Sequence, residues 1–430
     1  MKRVPLLLGL CLVLMLSGCA IPVDDITPTV ESTPQVSETP DPSMPSFNSP
    51  REFAGEPRVI TLEAVNSNLA GDFASRFILV GERAYGLTAD SIGAVDLATG
   101  ETIWETRFPD GNPNMGGFFF DSSQDYKPVI NADGSTVFAA LQVTIPGHGT
   151  TSGFSAIQLM AVDARTGHID WSTNIPAQKD ANSSECEHPR VAHQDNTRII
   201  VTCSNFWDDR IIAVDPASQD VLWEQAGRVV AVTSDVIVAT APHESGYWQL
   251  TGFSLSTGAR LWMDADDEDS AVNNASAVEI GAGLLVSISA RYESRYSVVI
   301  NPATGEVIRH LPDVFLTNPV VSGDIVYSLL KGYDHEVRAL STSDFSVLWE
   351  LPTENEDRFA PRNPIVFSGL VYGGGMRING DLTSVILDGK TGEDIAWDIP
   401  GTFIEVNQYG AIMLVPTDTH TIAAFVPATG

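Results

Sequence analysis

The chain has 430 residues, of which 43% are hydrophobic and 18% charged, with 35 glycines and 26 prolines. That balance describes a folded, turn-rich body. The formal net charge of −31 repels nucleic-acid phosphates and anionic lipid headgroups, which excludes both as partner surfaces and leaves solvation, cations or a basic protein as its meaning.

Met1-Lys2-Arg3 supplies a positive start, and Leu6 to Leu16 is an apolar run too short to span a bilayer comfortably. Leu16-Ser17-Gly18-Cys19 then resembles a bacterial lipobox. Residues 1–18 therefore read as a lipoprotein signal peptide, with Cys19 the acylated new N-terminus carrying diacylglyceryl and palmitate chains. Residues 19–57 are rich in Pro, Ser, Thr, Asp and Glu. They hold too little apolar surface to offset the entropy of ordering, so they predict a disordered stalk of roughly 3 Å per residue. A stalk of that length suits a thick wall and a Gram-positive cell surface.

Residues 58–430 are organised by a repeat. Ala94-Val-Asp-Leu-Ala-Thr-Gly-Glu-Thr-Ile-Trp104 returns as Ala161-Val-Asp-Ala-Arg-Thr-Gly-His-Ile-Asp-Trp171. Eroded copies are centred on Asp215, Ser254, Asn301, Ser341, Asp388 and Val426, about 47 residues apart on average. Tryptophan recurs at 104, 171, 223, 262, 349 and, shifted by one place, 397; Arg309 replaces it in the fifth copy. Glycine in the turn accepts positive φ and the threonine before it satisfies a backbone group, so two strands meet there. Between the turns lie short alternating runs, such as Val229-Val-Ala-Val-Thr233 and Val236-Ile-Val-Ala-Thr240. Each unit then has four antiparallel strands, and the chain predicts an all-β fold, an eight-bladed β-propeller. Seven blades is the alternative. The segment Arg58–Val65 precedes the first full blade and is expected to complete the last, closing the ring and removing two sheet edges.

The A-V-D-x-x-T-G-x-x-x-W pattern resembles the tryptophan-docking repeat of the quinoprotein (PQQ-like) propellers, over essentially all of 58–430. Together with the lipobox, the architecture is similar to that of the propeller lipoproteins of the outer-membrane β-barrel assembly machinery. The PQQ-dependent dehydrogenases that share the fold carry a vicinal cysteine pair and a calcium set around the quinone. No Cys-Cys pair occurs here, so neither a PQQ cofactor nor enzymatic activity is expected, and no catalytic residue is assigned.

Of four cysteines, Cys11 leaves with the signal and Cys19 is the lipid site. Cys186 and Cys203 flank the first two strands of the third blade, whose outer ends lie close, and the exported setting permits a disulfide between them. His188 and His193 fall between the two, but their spacing is unlike that of a zinc site and alternation divides them between faces. No metal site is assigned. Calcium is weighed only at Asp264, Asp266, Asp267 and Asp269, an acidic run without the glycine of an EF-hand loop.

In a four-stranded blade the Thr-Gly turns emerge on one face of the ring, while the second-to-third strand loops and the blade connections emerge on the other. Length variation falls on that second face. Its long loops carry Phe118, Phe119, Phe120, Trp207, Tyr247, Trp248 and Tyr333, the aromatic residue types that recognition surfaces use. The sequence thus points to a monomeric, extracytoplasmic, membrane-anchored propeller that binds an envelope protein or glycan as a non-enzymatic scaffold. The alternative is a small-ligand or carbohydrate sensor, or a PQQ-type oxidoreductase, with its site in the central channel.

Overall fold

The repeats fold as their alternation predicts, and the fourth shows why. Arg228–Val232, Val236–Pro242, Trp248–Ser254 and Arg260–Met263 pair in sequence order as one antiparallel sheet. The two middle strands are buried along nearly their whole length, because a blade is covered by neighbours on both faces. That is why Val236–Pro242 reads as a nearly unbroken Val, Ile and Ala run rather than as clean alternation. The computed structural model describes residues 44–53, 55–62, 77–88, 90–109, 112–113, 127–147, 152–177, 188–204, 209–244, 246–264, 271–290, 295–311, 314–330, 336–351, 361–376, 382–417 and 421–430. Among these, eight such sheets form the ring of a β-propeller. The seven-bladed alternative is therefore excluded.

The core is distributed. Eight clusters of buried apolar side chains form, one at each seam between neighbouring blades. In the seam between blades 3 and 4, for instance, Ile200, Ile211 and Ala213 meet Ile237, Ala239 and Phe253. Ring closure follows the sequence expectation. Arg58–Val59 pairs antiparallel with Thr421–Pro427, with Arg58 opposite Phe425, so the N-terminal strand is the outer strand of blade 8.

The repeat residues explain how adjacent blades lock. The motif aspartate fastens its own turn: Asp163 Oδ1 accepts the Thr166 amide at 2.7 Å and the Thr166 hydroxyl at 2.6 Å. That hydroxyl, followed by the backbone amide, holds the Asp163 carboxyl below the usual carboxylate range. The turn ends on glycine in the left-handed region, as at Gly167 (φ 74°) and Gly392 (φ 70°). The bare glycine face then receives the indole of the preceding blade. A Cβ at Gly167 would stand 2.6 Å from Trp104, and one at Gly392 2.7 Å from Trp349. Gly258 and Gly305 are covered in the same way by Trp223 and Trp262. Three indoles also donate to a carbonyl of the next turn: Trp104 to Ala164 (3.2 Å), Trp262 to Pro302 (2.8 Å) and Trp349 to Gly389 (2.8 Å). Glycine is required here for two reasons, its positive φ and the closeness of the indole.

Where the motif erodes, other chemistry fills the same place. Arg309 donates through Nη2 to the Asp344 carbonyl at 2.7 Å and lies 5.2 Å over the ring of Phe345. Phe345 occupies the glycine position at φ 59°, so a cation–π pair replaces the indole–glycine pair. At ring closure Arg58 donates to the Leu97 carbonyl at 2.5 Å, beside Gly100.

Two expectations are corrected. Trp397 does not dock; it is 66% exposed, because its one-place shift along a strand turns the side chain to the opposite face. The stalk was expected to reach residue 57, but the body begins at Met44. Residues 44–53 and 55–57 lie on the propeller, where Pro50 is buried and Phe53 packs on Tyr372 and Phe403. The composition argued for a free chain there, but the segment is a packed strap. The signal peptide, Cys19 and the rest of the stalk lie outside the described residues.

Trp349→Ala is expected to lower unfolding stability by about 3–5 kcal/mol, the range for truncating a buried large aromatic. Trp397→Ala should stay within about 0.5 kcal/mol. Denaturant titration of both variants checks the assignment. A second prediction concerns the substituted seam: Arg309→Trp and Phe345→Gly each destabilise alone, and the double variant recovers stability, with a coupling on the order of 1 kcal/mol or more in a double-mutant cycle.

Candidate functional site

The face opposite the Thr-Gly turns is built by the far ends of the same strands. In blade 2 the hairpin Thr136–Ile145 and Phe154–Asp163 is the longest, at 10 residues per strand. Its innermost strand is split. Asn112–Pro113 pairs with Thr144 and Val143, and Val129–Ile130 pairs with Phe138 and Val137. Residues 114–126 separate the two pieces in the sequence. Phe118, Phe119 and Phe120 lie within that insertion and outside the described residues, as do Trp207, Tyr333, Cys186 and Asp266, Asp267 and Asp269.

The remaining predicted site residues are described. Tyr247 and Trp248 are half-buried at the loop between the second and third strands of blade 4. That loop is tight: the His243 amide donates to the Tyr247 carbonyl at 2.8 Å and the Gly246 amide to the His243 carbonyl at 2.9 Å. Asp264 is exposed, and its amide donates to the Leu250 carbonyl at 2.8 Å. Its charge reaches the next blade: burial, and then Asp264, push the Tyr296 phenol up. Cys203 is buried and disulfide-bonded. Among the described residues no three His, Cys, Asp or Glu side chains stand close enough to share a metal ion.

Sequence reasoning missed the charged groups of the innermost strands. Arg190, Arg228 and Arg362 each open the innermost strand of their blade. Arg228 Nε lies 3.1 Å from Asp209 Oδ2, whose side chain is only 6% exposed. Lys127 Nζ reaches Glu405 at 2.8 Å, joining the inner strands of blades 2 and 8 past blade 1. Next to them, Arg210 is held bidentate by Glu224 at 3.0 and 2.9 Å and donates to the Pro176 and Ala177 carbonyls, tying blade 3 to the end of blade 2. His193, on the innermost strand of blade 3, is half-buried; burial lowers its pKa, and Asp195 at 4.0 Å opposes the shift only in part. A signal was available: a basic residue at the same end of several inner strands. It is hidden in the sequence because the strand ends are not fixed by periodicity.

Fold and seams together define an eight-bladed β-propeller of tryptophan-docking repeats. Residues 158–313 match the family model described as outer membrane protein assembly factor BamB, which bears out the resemblance to PQQ-like repeats. No curated protein matches the sequence. Among solved structures, BamB from Moraxella catarrhalis is similar at 14% identity and a TM-score of 0.52, covering 83% of this chain and 97% of its own. The computationally designed Ika8 protein matches at 14% identity and TM-score 0.54, over 86% of this chain and 100% of its own. A europium-containing methanol dehydrogenase matches at 12% identity and TM-score 0.54, over 90% and 91%. At these identities the likenesses show the fold.

The lowered pKa of His193 carries a sign. A histidine held neutral in the folded state contributes stability that is complete above its unfolded pKa of about 6.5 and is lost as pH falls below that value. His193→Gln is expected to flatten the stability profile between pH 7 and 5; an unchanged slope would place the titration elsewhere.

Proposed function

We propose that this protein is a lipid-anchored, extracytoplasmic scaffold whose propeller binds a protein or glycan partner of the cell envelope through its loop face, without catalysis. One observation carries this reading: the two faces are used differently. The turn face is committed to seam chemistry, with each glycine turn covered by the neighbouring blade's indole or its substitute. The loop face has the longest hairpin, and in this reading the insertion bearing Phe118, Phe119 and Phe120, which interrupts the inner strand of the same blade, supplies its contacts. Long loops over a rigid scaffold are where recognition residues concentrate. The matching family, that of an outer membrane protein assembly factor, agrees with an envelope role for a propeller. In this reading Cys19 is acylated, Cys186 is the partner of Cys203, and the surface is that of a Gram-positive cell.

A second reading places a small ligand at the channel mouth. It is supported by the pairing of Lys127 with Glu405, and of Arg228 at the start of an inner strand with Asp209 just before the third strand of the preceding blade. The methanol dehydrogenase shares the fold, but the chain has no adjacent cysteine pair, and no oxidation step is derived for it.

Capture from envelope extracts tests the leading reading. The wild-type protein is expected to recover a partner that a Phe118–Phe120→Ala variant loses; identical recovery by both would remove this patch from consideration. The anchor has its own test. Cys19→Ser should abolish incorporation of labelled palmitate and release the protein into the medium, whereas continued membrane retention would contradict acylation at that residue.

A further inference from the structure

The seam between blades 7 and 8 lacks its own wedge, since Trp397 faces solvent. The missing aromatic is supplied from elsewhere in the chain. Phe53 meets Tyr372 edge-on at 6.2 Å and 87°, and Phe403 at 5.1 Å and 63°. In blades 1 and 6 the corresponding tyrosines, Tyr85 and Tyr327, stand 6.1 Å from Trp104 and Trp349. The hydrogen bonds show the same exchange. Tyr85 and Tyr327 donate to the Ala164 and Gly389 carbonyls, the two that their tryptophans also use. Tyr372 donates instead to the carbonyl of Pro50 at 2.7 Å.

The strap is fixed by backbone pairing as well. The Arg51 amide donates to the Gly430 carbonyl at 2.8 Å and the Thr429 amide to the Glu52 carbonyl at 2.9 Å. Further along, Phe47 donates to Gln408 at 2.8 Å and the Ser49 hydroxyl to Ser368 at 3.0 Å. Between these points the strap side chains are mostly exposed. This is how a docked peptide is recognised: main-chain bonds give register and a few side chains enter pockets. Its apolar anchors are Met44, buried in the seam of blades 8 and 1, with Pro50 and Phe53 at blades 7 and 8, and Gly55-Glu56-Pro57 connects it to the closing strand Arg58–Val59. A short link to an element that docks on its own chain is the arrangement from which segments exchange between copies.

We propose that the seam of blades 7 and 8 is a peptide-docking groove, filled by residues 47–53 of its own chain and able to accept the same segment of a second copy when that strap lifts. Phe53 is the anchor and Tyr372 reads the Pro50 carbonyl.

The test uses full-length protein and a fluorescent synthetic peptide of residues 44–56. Wild type, with its groove filled, is expected to bind the peptide at least tenfold more weakly than a Phe53→Ala variant. A peptide that itself carries Phe53→Ala should not bind either protein. Hydrogen exchange read on the same variant should show the Arg51 and Thr429 amides deprotected while the blades remain protected. Two results overturn the proposal: strap amides that keep wild-type protection in Phe53→Ala, or a released strap on a folded propeller that fails to take up the peptide. Should Phe53→Ala lose its cooperative unfolding transition, Tyr372→Phe, which removes one hydrogen bond and keeps the ring, is read by the same two measurements.

Discussion

The seating of one blade's indole on the next blade's glycine turn is the interaction on which the rest of this propeller depends. A lone four-stranded sheet buries too little to be stable, and here the apolar clusters all lie at seams between blades. The wedge sets how closely two blades approach and so fixes the seam. Each part has a physical reason: the aspartate carboxylate fastens the turn, the glycine adopts positive φ without a side chain in the way, and the indole covers it and donates to a carbonyl. The ring tolerates loss of the residue types but keeps the contact. Arg309 over Phe345, Arg58 at ring closure and Phe53 against Tyr372 are three different ways of occupying the same place.

Much of this was legible in the sequence. The spacing of Asp, Thr, Gly and Trp is local, so blade number, strand order and closure by Arg58–Val59 follow from it. What was not legible depends on contacts between distant residues. Trp397 differs from Trp349 by one position, which periodicity registers as a small shift but which reverses the side chain's face. Residues 44–57 have a composition that cannot fold alone, and nothing local says that Phe53 fits a seam more than three hundred residues away. The ion pairs of the innermost strands, such as Lys127 with Glu405, arise because the ring brings blades 2 and 8 together on either side of blade 1.

The same division bears on function. The residues that make the repeat recognisable are spent on holding the ring, so they are poor candidates for a site despite their regularity. The irregular parts sit elsewhere: the split inner strand of blade 2, the tight loop leading into Tyr247 and Trp248, and charged groups at the starts of inner strands. An acidic body with these features on one face suits a partner that offers basic or polar groups. In the proposed binding role, charge would steer the encounter and aromatic residues would carry the affinity.

Hydrogen-exchange footprinting of the protein bound to a captured partner measures the division most directly. The account predicts slowed exchange at the loop-face strand ends, around 143–155 and 242–248, with the seven-residue turns 96–102 and 163–169 unchanged. Protection concentrated on those turns, with the loop face exchanging at its free rate, would contradict it.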